Sequence, residues 1–203
     1  GGDLVVRRGR TVEVVRELAA AHRVTALHVA RDHSAFARRR EAGLAAVAAD
    51  LGAALMVHPG VMLVDPEQVR ATGGGHFKVF TPYWRRWSAV TPRPVLPAPD
   101  AVRLPDGVDP GPIPDLAELV AGGPAPGLAR AGETAARARL AWWLDGPVDA
   151  YDTGRNLMAE DATSRLSPHL HLGTLSVTEV AAALEPRRPG HEAFLQELCW
   201  RDF

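Results

Sequence analysis

Two short segments near the end of the sequence carry side chains that could hold an anion or a polar ligand. The first, Thr163 to Pro168, supplies three hydroxyls and an arginine and leads into a predicted helix with Pro168 at its first position. The first amides of a helix lack partners and the helix dipole is positive there, so such a start can hold phosphate. An anionic cofactor is one interpretation, and Ser167 as an ordinary N-cap is the other.

The second segment is Glu197 to Phe203. On a helix, Glu197, Trp200 and Arg201 occupy positions i, i+3 and i+4 and therefore share one face. The alternative to a ligand-binding face is a surface Glu–Arg pair beside a half-buried tryptophan. The spacing alone does not decide between them.

Other candidate sites are weaker. His169 and His171 are two residues apart and would diverge by about 200° on a helix, so we expect no metal site. The stretch Tyr83 to Trp87 interleaves aromatic and basic residues as single-strand binders do. A helix that packs its aromatic side on a sheet explains this stretch more simply.

Composition indicates a globular protein without a membrane span. The 203 residues are 46% hydrophobic and carry a formal net charge of -1, so a sizeable core is expected. Cys199 is the only cysteine, which excludes an intrachain disulfide and fits a reducing compartment. No apolar run reaches the length of about 18 residues that a bilayer requires. A cytoplasmic monomer is the expectation.

Residues 4–90 alternate between strand and helix patterns. Strands are predicted at Leu4 to Val6, Val24 to Val29 and Ala54 to Val57, and helices at 12–22 and 34–51, the second ended by Gly52. This order predicts an α/β fold with a Rossmann-like parallel sheet and right-handed crossovers. Because the chain enters the sheet with almost no lead-in, we expect the sheet to lack its first strand and the chain to be an internal fragment.

The rest of the chain changes character twice. Residues 91–132 are rich in Pro and Gly and predict an interdomain linker. From Glu133 onward, helices are predicted at 135–144, 168–172, 176–184 and 191–203, with Ser176 and Glu179 forming a capping box. The expected domains are therefore an α/β domain at 1–90, the linker at 91–132 and the start of an all-α domain at 133–203.

Taken in order, several motifs of this sequence resemble the DNA photolyase and cryptochrome family, and most closely the bacterial class I photolyases that repair cyclobutane pyrimidine dimers. The motifs span essentially the whole chain, and it is their order that makes the resemblance specific. They are Arg31-Asp32 with Phe36 to Arg40, Lys78 to Trp84, Gly132-Glu133, Tyr151 with Arg155-Asn156, Thr163 to Pro168, Gly173 to Ser176 and Glu197 to Phe203.

The resemblance implies a partial antenna domain at 1–90, followed by the start of a helical domain that binds FAD. It implies that FAD is held by Tyr151 together with Thr163, Ser164, Arg165, Leu166 and Ser167. It further implies that Glu197, Trp200 and Arg201 line the mouth that receives the flipped pyrimidine dimer of damaged DNA, and that Arg155 meets the DNA backbone. A folate or a deazaflavin would be the second, antenna chromophore.

The implied activity is that of a deoxyribodipyrimidine photo-lyase, which splits the dimer by light-driven electron transfer from reduced FAD; the present stretch alone is expected to be inactive. A cryptochrome, a flavin photoreceptor without repair activity, is the alternative. Glu197 and Trp200 argue against it, because many cryptochromes alter the residues that face the lesion. A non-catalytic nucleotide-binding or DNA-binding module is the third interpretation.

Overall fold

The computed structural model describes residues 4–71 and 73–203, which form short helices and a small parallel sheet. In chain order the elements are α1 (Thr11–Ala21), β1 (Ala26–Ala30), α2 (Ala35–Leu51), β2 (Ala54–His58), α3 (Phe80–Trp87), α4 (Leu116–Leu119), α5 (Glu133–Leu144), α6 (Tyr151–Gly154), α7 (Ser167–Leu172), α8 (Val177–Ala182) and α9 (Pro189–Asp202). Two 3₁₀ turns, Pro66–Gln68 and Pro147–Ala150, complete the set. The elements fall into two compact units.

The first unit, residues 1–60 and 97–129, contains the sheet. β1 and β2 pair in parallel with Ala26 opposite Ala54, and α2 connects them. Ser34 begins α2 by accepting a 3.1 Å hydrogen bond from the amide of Ala37, and Gly52 ends it in the left-handed conformation. The predicted α/β fold, its parallel pairing and the helix stop at Gly52 are therefore confirmed.

One predicted strand is wrong. Residues 4–6 are not in a strand, and the sheet of the described residues has two strands. The amide of Val6 instead donates a 2.7 Å hydrogen bond to the carbonyl of Pro110, within the same unit. A three-residue apolar run can satisfy its backbone in an extended loop just as well as in a sheet, so its composition does not decide between them.

The second unit, residues 61–96 and 130–203, is helical around one hydrophobic core. Trp143, Val148, Leu166 and Cys199 are among its fully buried side chains. The predicted helices after residue 133 are all present, with ends shifted by one or two residues. The aromatic stretch from Tyr83 forms part of α3, as expected for a helix, and Tyr83 and Trp87 are buried in the core of this helical unit.

Two local expectations for the helical unit are corrected by the structure. The Ser176 side chain makes no cap hydrogen bond at the start of α8, and the Glu179 carboxylate, which would supply the other half of the capping box, pairs with Arg137. Ser167 is the first residue of α7 and not its N-cap, which is Leu166. The predicted domain limits at residues 90 and 132 stay a prediction.

The start of α9 packs closely on the 3₁₀ turn Pro147–Ala150. A Cβ at Gly190 would lie 2.1 Å from the carbonyl oxygen of Val148, so only glycine fits at this position of the first turn. Beside it, His191 accepts a 3.0 Å hydrogen bond from the amide of Glu185 at Nδ1 and donates through Nε2 to Asp149 at 3.0 Å. These contacts fix α9 against the turn that leads into α6.

Candidate functional site

A cavity of about 500 Å³ opens on the helical unit where α6 and α9 meet. Five of the residues predicted for cofactor or DNA contact line this cavity: Tyr151, Arg155, Thr163, Glu197 and Trp200. Three further lining residues are Phe80, Asn156 and Gln196. The structure therefore brings residues from four separate parts of the chain to one place.

The floor of the cavity is held by aromatic packing. Tyr151 is 9% exposed and meets Trp143 edge-on at 5.4 Å and Phe194 edge-on at 5.4 Å between ring centroids. Edge-to-face contacts of this kind add to the stabilisation from buried area and fix ring orientation. Tyr151 therefore lines the cavity from a rigid position.

An ion pair crosses the cavity from α9 to the end of α6. Arg155 Nη1 donates to Glu197 Oε1 at 2.8 Å, and each side chain is a little over one-third exposed. The sequence left open a pair between Glu197 and Arg201, four residues apart on α9. In the structure Glu197 pairs with Arg155. Because both groups are partly solvated, the pair contributes little to stability but fixes where the carboxylate and the guanidinium stand.

The hydroxyl of Tyr151 remains protonated beside this pair. Burial raises the pKa of Tyr151 above its ordinary value, the negative charge of Glu197 raises it further, and the positive charge of Arg155 opposes the shift. A protonated phenol both donates and accepts hydrogen bonds. The cavity therefore holds a neutral hydroxyl, a carboxylate and a guanidinium close together.

Trp200 stacks on an aromatic ring from another helix. Its ring centroid lies 3.8 Å from that of Phe80 in α3, with 5° between the ring planes. Phe203 meets the edges of both rings, at 5.6 Å from Trp200 and 5.9 Å from Phe80. Trp200 is still 48% exposed, so the indole retains surface that a ligand can contact.

A buried carboxylate joins α3 and the preceding loop to α9. Asp202 Oδ2 accepts hydrogen bonds from the amides of Leu63 and Val64, both at 3.0 Å, and from Trp87 Nε1 at 2.9 Å. Burial raises the pKa of the Asp202 carboxyl, while the three N–H donors act in the opposite direction. This cluster lies next to Trp200 and holds together the two helices that supply the stacked rings.

The predicted cofactor segment adopts a defined turn. Arg139 donates from Nε to the carbonyl of Ser164 and from Nη2 to the carbonyl of Thr163, both at 2.8 Å. The hydroxyl of Ser164 accepts a 3.3 Å bond from the amide of Leu166, and Arg165 has a φ of 52°. Such a left-handed residue other than glycine persists only where its surroundings hold it.

The side chains of this segment have three different surroundings, and that of Ser164 is buried. Thr163 lines the cavity, while Ser167 and Arg165 are exposed, Arg165 pairing with Asp161 at 2.7 Å. Leu166 is fully buried in the core. Any contact that Leu166 makes with a ligand must therefore come from its backbone.

Arg201 stands apart from the cavity. Its guanidinium donates to the carbonyl of Val61 at 2.5 Å and to the carbonyl of Leu170 at 3.1 Å. Both acceptors are backbone groups of the helical unit, so the structure gives Arg201 an anchoring position. Its predicted contact with DNA stays a prediction.

Four residues of the site are missed by the sequence reasoning: Phe80, Arg139, Asn156 and Gln196. Asn156 follows Arg155 in a recognised motif, and that adjacency was an available signal. Phe80 is separated from Trp200 by 120 positions, and no periodicity links them. Only the folded chain brings the two rings together.

Chemically, the cavity suits a flat molecule with a polar edge. A half-exposed indole offers a stacking surface, and Glu197, Arg155, Tyr151, Asn156 and Gln196 offer both donors and acceptors around it. Within residues 4–71 and 73–203, no cluster of His, Cys, Asp and Glu could hold a metal ion. Over the same residues, none of the helices has the length and apolar character needed to cross a membrane.

Comparison with known proteins identifies the family. The profile of the DNA photolyase family matches residues 1–100. A deoxyribodipyrimidine photo-lyase of Streptomyces griseus is 46% identical over 208 residues, covering all of this chain and 45% of that protein. A cryptochrome DASH of Natronomonas pharaonis is 34% identical, covering all of this chain and 46% of that protein.

A solved structure agrees with the sequence matches. The crystal structure of a bacterial class III photolyase from Agrobacterium tumefaciens superposes with a TM-score of 0.86 at 25% identity, covering all of this chain and 44% of that one. The chain thus spans less than half the length of these relatives. The matches in sequence and in structure extend over both compact units, and the chain belongs to the DNA photolyase and cryptochrome family.

Proposed function

We propose that this protein is a photolyase that binds FAD and repairs cyclobutane pyrimidine dimers in DNA with light. The observation that carries the proposal is the cavity in which Trp200, Glu197 and Arg155 stand together. Its stacking surface and polar groups match the needs of a flipped pyrimidine dimer, whose two bases lose their stacking when they leave the duplex. The 46% identity to a photo-lyase supports the same conclusion.

The residues present fit an anionic, aromatic cofactor. Tyr151, Thr163, Ser164 and Ser167 would hold FAD through their hydroxyls, while Arg165 and the backbone at Leu166 would complete the contacts. When bound, reduced FAD would supply the electron that splits the cyclobutane ring and take it back afterwards. The protein's task is to bind, orient and exclude water.

Each cavity residue has a distinct proposed task. Trp200 would stack on the flipped dimer and recover part of the unstacking free energy, which is a few kcal/mol. Glu197 would accept a hydrogen bond from an N–H on the polar edge of the dimer through its carboxylate. Arg155 has donors beyond the one that Glu197 occupies, and these would meet a DNA phosphate.

The test is light-dependent repair by the protein that the complete gene encodes. Purified protein with bound flavin should restore dimer-containing oligonucleotides under blue light and leave them unchanged in the dark. Bound flavin without repair would favour the cryptochrome alternative, which the similarity to a cryptochrome DASH keeps open. Absence of both flavin and repair would point to the non-catalytic binding module.

A substitution sharpens the test. Trp200→Ala should weaken binding to dimer-containing DNA far more than to undamaged DNA, by about five- to 150-fold, because stacking on one aromatic contributes about 1–3 kcal/mol per base. Flavin content should stay near that of the unaltered protein. Equal losses for both DNAs would refute the assignment of the lesion site to this cavity.

A further inference from the structure

Phe80 is the one aromatic residue of the cavity lining that comes from outside α6 and α9. It begins α3, lines the cavity, and stacks almost parallel to Trp200 at 3.8 Å. An indole that is anchored only at its Cβ can rotate about two side-chain bonds. A second ring against one face removes this freedom and also blocks that face to any ligand.

The position of Phe80 is itself held firmly. Farther along α3, Trp87 donates to the buried carboxylate of Asp202, and the hydroxyl of Tyr83 donates to the Asp202 carbonyl at 3.4 Å. Asp202 lies two residues after Trp200 on α9. The stacked pair is therefore a product of two helices that a buried hydrogen-bond cluster fixes against each other.

We propose that Phe80 is a positioning residue of the lesion site: its ring sets the plane of the Trp200 indole and leaves one face of that indole for the flipped dimer. The inference rests on the proposed function, because it concerns the substrate of the same cavity. It assigns to α3 a part in recognising damage. A Trp200 that is pre-oriented loses less conformational entropy when the substrate stacks on it.

The experiment compares matched variants of the protein that the complete gene encodes, in the dark. Phe80→Leu removes the stacked ring, and Phe80→Tyr keeps it. Phe77→Leu is the control, since Phe77 is a half-buried ring near α3 that contacts Tyr83 edge-on at 5.7 Å but does not line the cavity. The quantity measured is the ratio of affinities for dimer-containing and undamaged DNA.

We expect Phe80→Leu to reduce this ratio by about two- to twelvefold. This range is the interaction free energy of a typical aromatic pair, converted to a change in affinity. Phe80→Tyr and Phe77→Leu should keep the ratio. An unchanged ratio in Phe80→Leu, or an equal loss in Phe77→Leu, would overturn the inference while leaving the proposed function intact. An unaltered protein that shows no preference for damaged DNA would instead overturn the proposed function itself.

A double-mutant cycle separates positioning from general support of the fold. If Phe80 acts through Trp200, then Phe80→Leu should cause no further loss of preference in a Trp200→Ala background. A loss of the same size in that background would show that Phe80 acts independently of Trp200 and would overturn the inference. Flavin content, measured in every variant, should remain constant.

Discussion

Asp202 offers the clearest test of how the site is assembled, because its carboxylate joins three donors from two separate stretches. Asp202→Ala leaves the amides of Leu63 and Val64 and the Trp87 indole N–H without their acceptor. Each buried donor left unpaired costs about 1–3 kcal/mol. Since alanine also removes a desolvated charge and leaves room for water, we expect a net loss of about 3–5 kcal/mol in the free energy of unfolding.

The pH dependence provides a second signature of the same group. Burial raises the pKa of Asp202 in the folded protein above its ordinary value of 3.8, so the folded state binds more protons than the unfolded state in the interval above 3.8. The contribution of this group to stability is therefore fully present at low pH and is lost as the pH rises through the raised pKa. Asp202→Asn cannot titrate and should lack this component.

The assay is urea denaturation followed by tryptophan fluorescence, with unaltered protein, Asp202→Ala and Asp202→Asn compared between pH 3.5 and 8. The difference between the unaltered protein and Asp202→Asn cancels the titration of the other carboxylates. A loss below about 1 kcal/mol for Asp202→Ala would refute the reasoning, because it would mean that the three donors are not buried in solution. A difference that does not vary with pH would show that burial does not raise the pKa.

Three further predictions concern the proposed cofactor and DNA contacts. Arg139→Gln should lower the melting temperature and the flavin content, since the Thr163 and Ser164 carbonyls lose a charged donor. Arg137→Gln is the control: Arg137 lies on the same helix but pairs with the exposed Glu133 and with Glu179, so its replacement should change neither quantity. Replacing Ser164 and Ser167 together by Ala should reduce the flavin retained after dialysis, because each lost bond to a charged group contributes about 1.5–3 kcal/mol; unchanged occupancy would leave these hydroxyls a structural role only. Arg155→Ala should weaken binding to damaged and undamaged DNA alike and flatten the salt dependence of binding, whereas a loss confined to damaged DNA would place Arg155 at the lesion and not at a phosphate.

The sequence by itself determined most of the helices, the parallel pairing of two strands and the family, while the short helices α4 and α6 were not predicted. Ser34 and Gly52 mark the limits of α2 because capping and left-handed geometry depend on local residues. Glu197 and Trp200 fall on one face of α9 because the helical period is fixed. Ordered motifs along the whole chain identified the family, since each motif keeps its residue types and its order.

The tertiary structure decided which of these faces meet. Trp200 meets Phe80 and Glu197 meets Arg155 across long stretches of chain, and Arg201 is drawn away to the carbonyls of Val61 and Leu170. Val6 bonds to Pro110 and residues 4–6 do not form a strand, and Glu179 pairs with Arg137 instead of completing a capping box. These outcomes depend on contacts between residues that are distant in sequence, and local propensity carries no information about such contacts.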